Sequence, residues 1–253
     1  GNNKSFYDVL VRDPAGNETN ITSTIGGGTL NGYLEMRDTV VVEVLDKLDR
    51  LAAGFVKEFN NIHQQGFGLD GSTGNNFFNP LATDVDANAN NSGSTALTAT
   101  NGDPSNISVD KYEVTITGAD SFSLQNLTRG ASSGTYTFTS GSTFNLANGF
   151  AVTISGTPTV GDKFKLSVSE GAARNISIAN GISSNTSKIS AGFNSRTDGG
   201  NALNLVGLQS KALFDNITLD SAGSGTFTFD EFYSSLISTV GIQSASSQAT
   251  FAQ

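Results

Sequence analysis

Length, composition and charge already remove several classes of protein. The chain has 253 residues, enough for one large domain or two smaller ones, and only 15% of them are charged. It has no cysteine, which excludes disulfides, thiolate metal sites and thiol nucleophiles. The formal net charge of -9 and the lack of a basic cluster argue against nucleic acid and anionic membranes as partners. The high content of Ser, Thr, Asn and Gly is typical of an exported, β-rich bacterial protein.

The amino-terminal segment, residues 1–28, predicts a β-hairpin that leads into a helix. Two short strands within residues 5–24 flank a turn at residues 14–17, where Pro and Gly occupy usable turn positions. A glycine triplet, Gly26–Gly28, follows the hairpin.

The clearest periodicity lies between Thr29 and Gln65 and predicts one long α-helix. Apolar residues recur there at steps of three and four, which places them on one face. They are Leu30, Leu34, Val41, Val44, Leu45, Leu48, Leu51, Ala52, Phe55, Phe59 and Ile62. The opposite face is predicted to meet solvent and carries Glu35, Asp38, Glu43, Asp46, Lys47, Asp49, Arg50 and Lys57. Such a stripe requires partner helices, from this chain or from other subunits.

Residues 88–197 predict an inserted antiparallel β domain. Five segments have the period-two apolar spacing of half-buried strands. They are residues 111–117, 121–127, 134–140, 149–154 and 163–169. Residues 175–180 are predicted to add a sixth strand, and residues 88–103 to form a connector. The glycine-rich stretch between helix and connector is predicted to be a structured loop held by Phe77 and Phe78.

Helical patterns return in residues 198–253. Asp198 can cap a helix that runs to Leu213, with Leu205 and Val206 on its apolar face. After a linker from residue 215 to 225, Thr228 and Glu231 have the spacing of a capping box and predict a helix to about residue 240. The predicted fold class is α+β. An elongated helical bundle, residues 29–87 and 198–253, is built around the long helix, and the β domain is inserted into it.

No catalytic, cofactor-binding or metal-binding residues are predicted. His63 is the only histidine, and without a second one or a nucleophile elbow we expect it to have a structural role. Asp84, Asp86 and Asn88 have the first spacings of a calcium loop, but the glycine and glutamate that complete such a loop are missing. The glycine triplet lacks the lysine and the hydroxyl residue of a phosphate-binding loop, so a tight turn is favoured.

Residues 26–38 and 45–78 resemble the flagellar hook-associated protein 1 family. The shared pattern is a Gly-Gly-x-Leu-x-Gly entry, a long helix, and then Gly-x-x-Leu-x-Gly and Phe-Phe. The matching positions are Gly27, Gly28, Leu30, Gly32, Arg37, Leu48, Leu51, Ala52, Asn60, His63, Gly66, Leu69, Gly71, Gly74, Phe77 and Phe78. Residues 156–168 and 198–209 are similar to two further segments of the family, although here two glycines follow Asp198.

The resemblance implies a non-enzymatic structural subunit at the junction between the flagellar hook and the filament. It implies an extracellular location, reached through the flagellar export channel, and no cofactor. The partners that it implies are copies of the chain in a ring, the hook protein, the next junction protein, and an export chaperone that binds a missing terminal segment. The family's terminal helices are not present, so we expect this sequence to be a fragment. The alternative is a bacterial surface adhesin or binding module that acts through its β domain.

Overall fold

Two compact units make up the chain, Gly1–Lys47 with Ser234–Gln253, and Leu48–Tyr233. The computed structural model describes residues 6–215, 217, 219 and 225–251, with side chains described as far as residue 245. The first residues of the predicted hairpin and most of the predicted linker at 215–225 lie outside the described residues. The predicted division into residues 1–28, 29–87 with 198–253, and 88–197 stays a prediction.

The first unit contains the predicted hairpin. Strands β1 (Leu10–Arg12) and β2 (Glu18–Asn20) pair antiparallel, across a turn in which Gly16 has a φ of +91°. Helix α1 (Gly28–Glu35) begins at the glycine triplet, where Gly28 has a φ of +74°, a conformation that glycine adopts without strain. The triplet therefore serves as the turn that starts the helix.

The predicted long helix is confirmed. A π-helical segment, Met36–Val40, joins α1 to α2 (Val41–His63), so the chain is helical without interruption from residue 28 to residue 63. In the first unit, Arg37 of this segment binds the residues before the hairpin. Its Nη1 donates to the carbonyl oxygen of Tyr7 at 3.0 Å, and its guanidinium lies over the ring of Phe6.

The part of α2 in the second unit buries a face that the sequence pattern predicts to meet solvent. Arg50 and Lys57 are only 9% and 8% exposed, so their assignment to the solvent face is wrong. Ala53, Gly54 and Val56 lie among them and are buried too. These small side chains allow neighbouring segments to approach α2 closely, and the aliphatic stems of arginine and lysine can then cover apolar surface.

Eight strands are described in the second unit: β3 (Asp84–Ala87), β4 (Ala96–Asn101), β5 (Tyr112–Ile116), β6 (Ser121–Asn126), β7 (Ala131–Thr137), β8 (Thr143–Asn145), β9 (Phe150–Ser155) and β10 (Lys163–Ser167). They form a five-stranded sheet in the order β3-β10-β5-β6-β7 and a three-stranded sheet in the order β4-β9-β8, and every pairing is antiparallel. Strands β5, β6, β7, β9 and β10 confirm the five predicted strands.

Side chains of both sheets belong to one apolar core, to which the helices also contribute. Along β5 the buried side chains alternate, as a half-buried strand requires. Val114 and Ile116 of β5 are fully buried, as is Phe122 of β6, and Ile154 of β9 is nearly so. The ring centroid of Phe122 lies 6.3 Å from that of Phe144 in β8, so aromatic packing connects the sheets.

Three strands and two short helices differ from the sequence-based expectation. Strand β3 lies in the predicted loop, β4 lies in the predicted connector, and the three-residue β8 falls below the length at which alternation can be detected. The predicted sixth strand at residues 175–180 is wrong. Helix α3 (Ala172–Asn175) and helix α4 (Asn180–Ser184) occupy both of its ends.

The carboxy-terminal helices are partly as predicted. Helix α5 (Gly200–Gly207) is shorter than expected and ends in a 3₁₀ turn, Leu208–Ser210. Its predicted apolar face is wrong at Val206, which is 65% exposed. Helix α6 (Phe229–Phe251) begins with the predicted capping box and runs beyond the predicted end at residue 240. The N–H of Thr228 donates to Glu231 Oε2 at 2.8 Å, and the N–H of Glu231 donates to Thr228 Oγ1 at 3.3 Å.

Candidate functional site

The end of α2 is held by a group of buried and half-buried residues that we call the clasp: Asn60, His63, Phe77, Phe78, Ser190 and Asn201. Asn60 is the first of these, and its Oδ1 accepts the N–H groups of Phe77 and Phe78 at 3.0 and 2.9 Å. Its Nδ2 donates to the carbonyl oxygen of Phe78 at 3.0 Å. One amide therefore fixes the loop that follows α2 to the helix.

His63 binds a segment on each side of its ring. The ring is fully buried, and its Nδ1 lies 2.7 Å from the carbonyl oxygen of Asn75. The N–H of Ser190 donates to Nε2 at 2.9 Å. Since a carbonyl oxygen only accepts, Nδ1 must carry the proton and Nε2 must be bare. Burial lowers the pKa of His63, and the hydrogen bond to Asn75 opposes this shift.

Asn201 completes the clasp from α5. Its Nδ2 donates to the carbonyl oxygens of Ile62 and Ser190, at 3.1 and 2.7 Å. A Cβ atom at Gly66 would lie 2.3 Å from that Nδ2 and 2.7 Å from the carbonyl oxygen of Gly192. Only glycine therefore fits between the end of α2 and the segment that reaches it from residue 190.

Aromatic rings fill the space beside these hydrogen bonds. The ring centroid of Phe77 lies 4.9 Å from those of Phe59 and Phe78, and 5.5 Å from that of His63. Phe55 lies 5.5 Å from Phe78. The predicted role of Phe77 and Phe78 in holding the loop agrees with these contacts, which are tilted or edge-on as aromatic pairs prefer.

The apolar stripe of α2 lines an open groove of about 590 Å³ in the second unit. Its walls are Leu48, Leu51, Ala52, Phe55 and Phe59 of α2, together with Ala173, Leu205, Val206, Leu208, Gln209 and Phe229. The two helical segments that the sequence predicts as partners of α2 thus contribute to the groove, but they leave it open.

The other candidate residues take structural positions. Asp84 and Asp86 lie in β3, where Asp86 is in register with Lys165 of β10, so they do not form a loop around an ion. Within the described residues, no group of three or more acidic or histidine side chains could hold a metal ion. Nor does that part of the chain contain a helix long and apolar enough to cross a membrane.

Comparison with known proteins shows what this chain is similar to. The profile described as "Flagellar hook-associated protein FlgK helical domain" matches residues 2–78. Flagellar hook-associated protein 1 of Escherichia coli (strain K12) is 30% identical over 238 residues, covering 94% of this chain and 41% of that protein. Its counterpart in Salmonella typhimurium (strain LT2) is 28% identical over 239 residues, covering 92% of this chain and 41% of that protein.

A solved structure agrees with the sequence relatives. The flagellar hook junction protein FlgK from Burkholderia pseudomallei is 30% identical and has a TM-score of 0.51, covering 65% of this chain and 29% of that chain. The chain belongs to the flagellar hook-associated protein 1 family. It spans about two fifths of the length of the curated relatives that it matches.

Many of the residues that carry the sequence resemblance lie in the clasp. Asn60, His63, Gly66, Phe77 and Phe78 all contribute to that resemblance and all meet at the end of α2. The similar segment at 198–209 reaches the same place through Asn201. Two of the segments on which the resemblance rests, far apart in sequence, therefore form one structural feature.

The sequence does not reveal which groups bind the clasp residues. Ser190 contributes a backbone N–H, which no side-chain pattern reveals. Arg129 was missed as well. Its Nε donates to Asp110 Oδ2 at 2.8 Å and its Nη1 to Asp215 Oδ2 at 2.6 Å, which ties the β6–β7 turn to the segment that follows α5. A lone arginine in a turn carries no recognisable signal.

Proposed function

We propose that this chain is part of a structural subunit at the junction between hook and filament of the bacterial flagellum. The observation that carries the proposal is the match to Flagellar hook-associated protein 1 of Escherichia coli over 94% of the chain. The clasp gives that match a physical meaning. Several residues that carry the resemblance, Asn60, His63, Gly66, Phe77 and Phe78, are engaged in packing and hydrogen bonds at the end of α2, which suits a rigid building block.

The same proposal covers the partners and the location. The subunit would work without enzymatic activity, outside the cell, after passage through the flagellar export channel. Its partners would be copies of itself in a ring, the hook protein, the next junction protein, and an export chaperone that binds a terminal segment. The helix from residue 28 to residue 63 would be the centre of an elongated helical bundle with the β domain inserted. The groove along α2 supports this, because its apolar stripe is incompletely covered.

Deletion of the complete gene tests the proposal. We expect the deletion strain to lack attached filaments and to lose swimming, and the wild-type gene to restore both. Attached filaments and normal swimming in the deletion strain would refute the junction role. If that strain swam but no longer adhered to surfaces, the adhesin alternative would be favoured.

Variants of the clasp then connect the structure to the role. Asn60→Ala in the full-length gene removes the side chain that binds Phe77 and Phe78, so we expect it to restore swimming poorly. Its neighbour on α2 provides a matched control. Asn61→Ala leaves the clasp intact, and we expect it to restore swimming fully. Equal restoration by both variants would show that the clasp does not matter for the role.

A further inference from the structure

His63 lies where two segments of the chain meet the end of α2. On one side is the loop of residues 64–79, reached through the carbonyl oxygen of Asn75 at 2.7 Å. On the other is the segment of residues 185–192, reached through the N–H of Ser190 at 2.9 Å. The two segments also pair with each other, because Phe67 and Gly192 exchange backbone hydrogen bonds of 2.8 and 3.1 Å.

This arrangement accepts only the neutral ring. Protonation of Nε2 would place an N–H against the N–H of Ser190, and the hydrogen bond between them would become a repulsion. The ring is fully buried, so the imidazolium would also lose its hydration. The neutral ring, by contrast, has both of its nitrogens satisfied.

Within the part of the chain that the structure describes, no charged group is placed to stabilise the imidazolium. The charged residues of the segments that pack around the ring, and of the turn before α5, are Lys57, Glu58, Asp70, Lys188, Arg196 and Asp198. Glu58 pairs with Lys211 at 3.7 Å, and Asp70 interacts with Lys188. Asp198 accepts four backbone N–H groups, and Arg196 is exposed. Among the described residues, only burial and the Asn75 carbonyl shift the pKa of His63.

We propose that His63 is an acid-operated latch, in which protonation of Nε2 on acidification favours release of residues 64–79 and 185–192 from the end of α2. The released state exposes the ring to water and removes both the repulsion and the desolvation. The two sheets contain no histidine, so we expect the titration of His63 to leave their core unchanged. The latch goes beyond the proposed junction role and does not depend on it.

The expected size of the effect follows from linkage. In the released state His63 has the ordinary pKa of about 6.5. If the closed state resists protonation, a shift from about pH 7.5 to about pH 5 increases the released fraction up to about 30-fold.

Hydrogen exchange of the intact chain tests the latch. We would measure protection factors, corrected for the intrinsic effect of pH, for the amides of Ser190 and Gly192 and for those of Val114 and Leu166 in the sheet. We expect the first pair to lose about 10- to 30-fold in protection relative to the second at about pH 5. An unchanged ratio would overturn the latch.

Two further measurements complete the test. In His63→Gln, which cannot titrate, the protection ratio should not depend on pH, and the same loss as in the wild type would overturn the latch.

Should that variant fail to fold, an NMR titration of His63 in the wild type decides, because the chain has a single histidine and its ring signals are unambiguous. We expect the Nδ1–H tautomer at about pH 7.5. Full protonation with a pKa near 6.5 while Ser190 stays protected would overturn the proposal.

Discussion

Single side chains at the end of α2 make several contacts each, and Asn60 is the clearest case. It is buried, and three hydrogen bonds connect it to the backbone of Phe77 and Phe78. Truncation leaves half-buried backbone groups without these partners, which costs more than the hydrogen bonds contribute net.

We expect Asn60→Ala to lower the free energy of unfolding by about 2–4 kcal/mol, measured by urea denaturation. Asn61→Ala is the control, because Asn61 sits on the same turn of α2 and contributes only its backbone carbonyl to a hydrogen bond with Gln65. A loss of similar size in both variants would contradict the role of Asn60.

Asp198 makes the stability of the protein depend on pH. Asp198 accepts the N–H groups of Phe193, Asn194, Ser195 and Gly200 at 2.7–2.9 Å, and these lower its pKa to about 2 from an ordinary 3.8. Because the folded pKa lies below the unfolded one, the stabilisation is complete above about pH 5 and is lost as the pH falls from about 4 towards 2. Asp198→Asn should therefore be less stable than the wild type at neutral pH, and the difference should vanish near pH 2. A difference that does not change with pH would contradict this account.

At the scale of elements, the burial of α2 depends on how closely other segments approach it. A Cβ atom at Gly54 would lie 2.8 Å from Phe214 Cζ. The ring of Phe214 cannot easily move, since it is fully buried and stacks on Phe232 at 4.7 Å between centroids. Overpacking at such a position displaces the neighbours and is destabilising.

Gly54→Ala should lower the free energy of unfolding by about 1–3 kcal/mol despite the better helix propensity of alanine. Gly207 in α5 is the matched control, because a Cβ atom there meets nothing within 4 Å. Gly207→Ala should stabilise the protein by about 0.5–1 kcal/mol. Thermal denaturation of both variants measures the two changes in stability. A stabilising effect of Gly54→Ala would show that α2 is not tightly packed at that point.

A capping box stabilises the start of α6. Thr228 and Glu231 satisfy each other's backbone N–H groups, and these hydrogen bonds lower the pKa of Glu231. Thr228→Ala should cost about 1 kcal/mol and reduce the helical signal in circular dichroism. Ser238→Ala, within the same helix and exposed, should preserve both. If the two variants behave alike, the capping box does not stabilise α6.

At the scale of the whole molecule, the chain retains an open apolar groove. Exposed apolar surface of this kind binds apolar dyes from water. Val206 lines the groove and is 65% exposed, whereas Leu203 lies on the same helix, is 73% exposed and does not line it. Val206→Asp should therefore weaken the fluorescence of a bound apolar dye at least severalfold, and Leu203→Asp should change it little. Unchanged stability in both variants is expected, since neither side chain is buried. An equal loss of dye binding would place the apolar site elsewhere.

Local patterns in the sequence determined the type of most elements. The helix from residue 28 to residue 63, the hairpin, the capping box of α6 and five strands all follow from periodicity, turn residues and capping residues that lie within a few positions of one another. The same local pattern at residues 26–78 also indicated the family, which the relatives confirm.

Only the tertiary structure decided which faces are buried and which residues meet. Arg50 and Lys57 belong to a face that looks solvated in the sequence, yet segments distant in the chain cover it. Asn201 reaches the carbonyl oxygen of Ile62 across 139 positions of sequence, and Ser190 reaches His63 across 127. Such contacts depend on the path of the whole chain, and a periodic pattern carries no information about which distant segment will lie against a helix. The sequence by itself therefore determined the elements and the family. The fold decided how His63 and Asn201 connect the end of α2 with the loop that follows it and with the segment around Ser190.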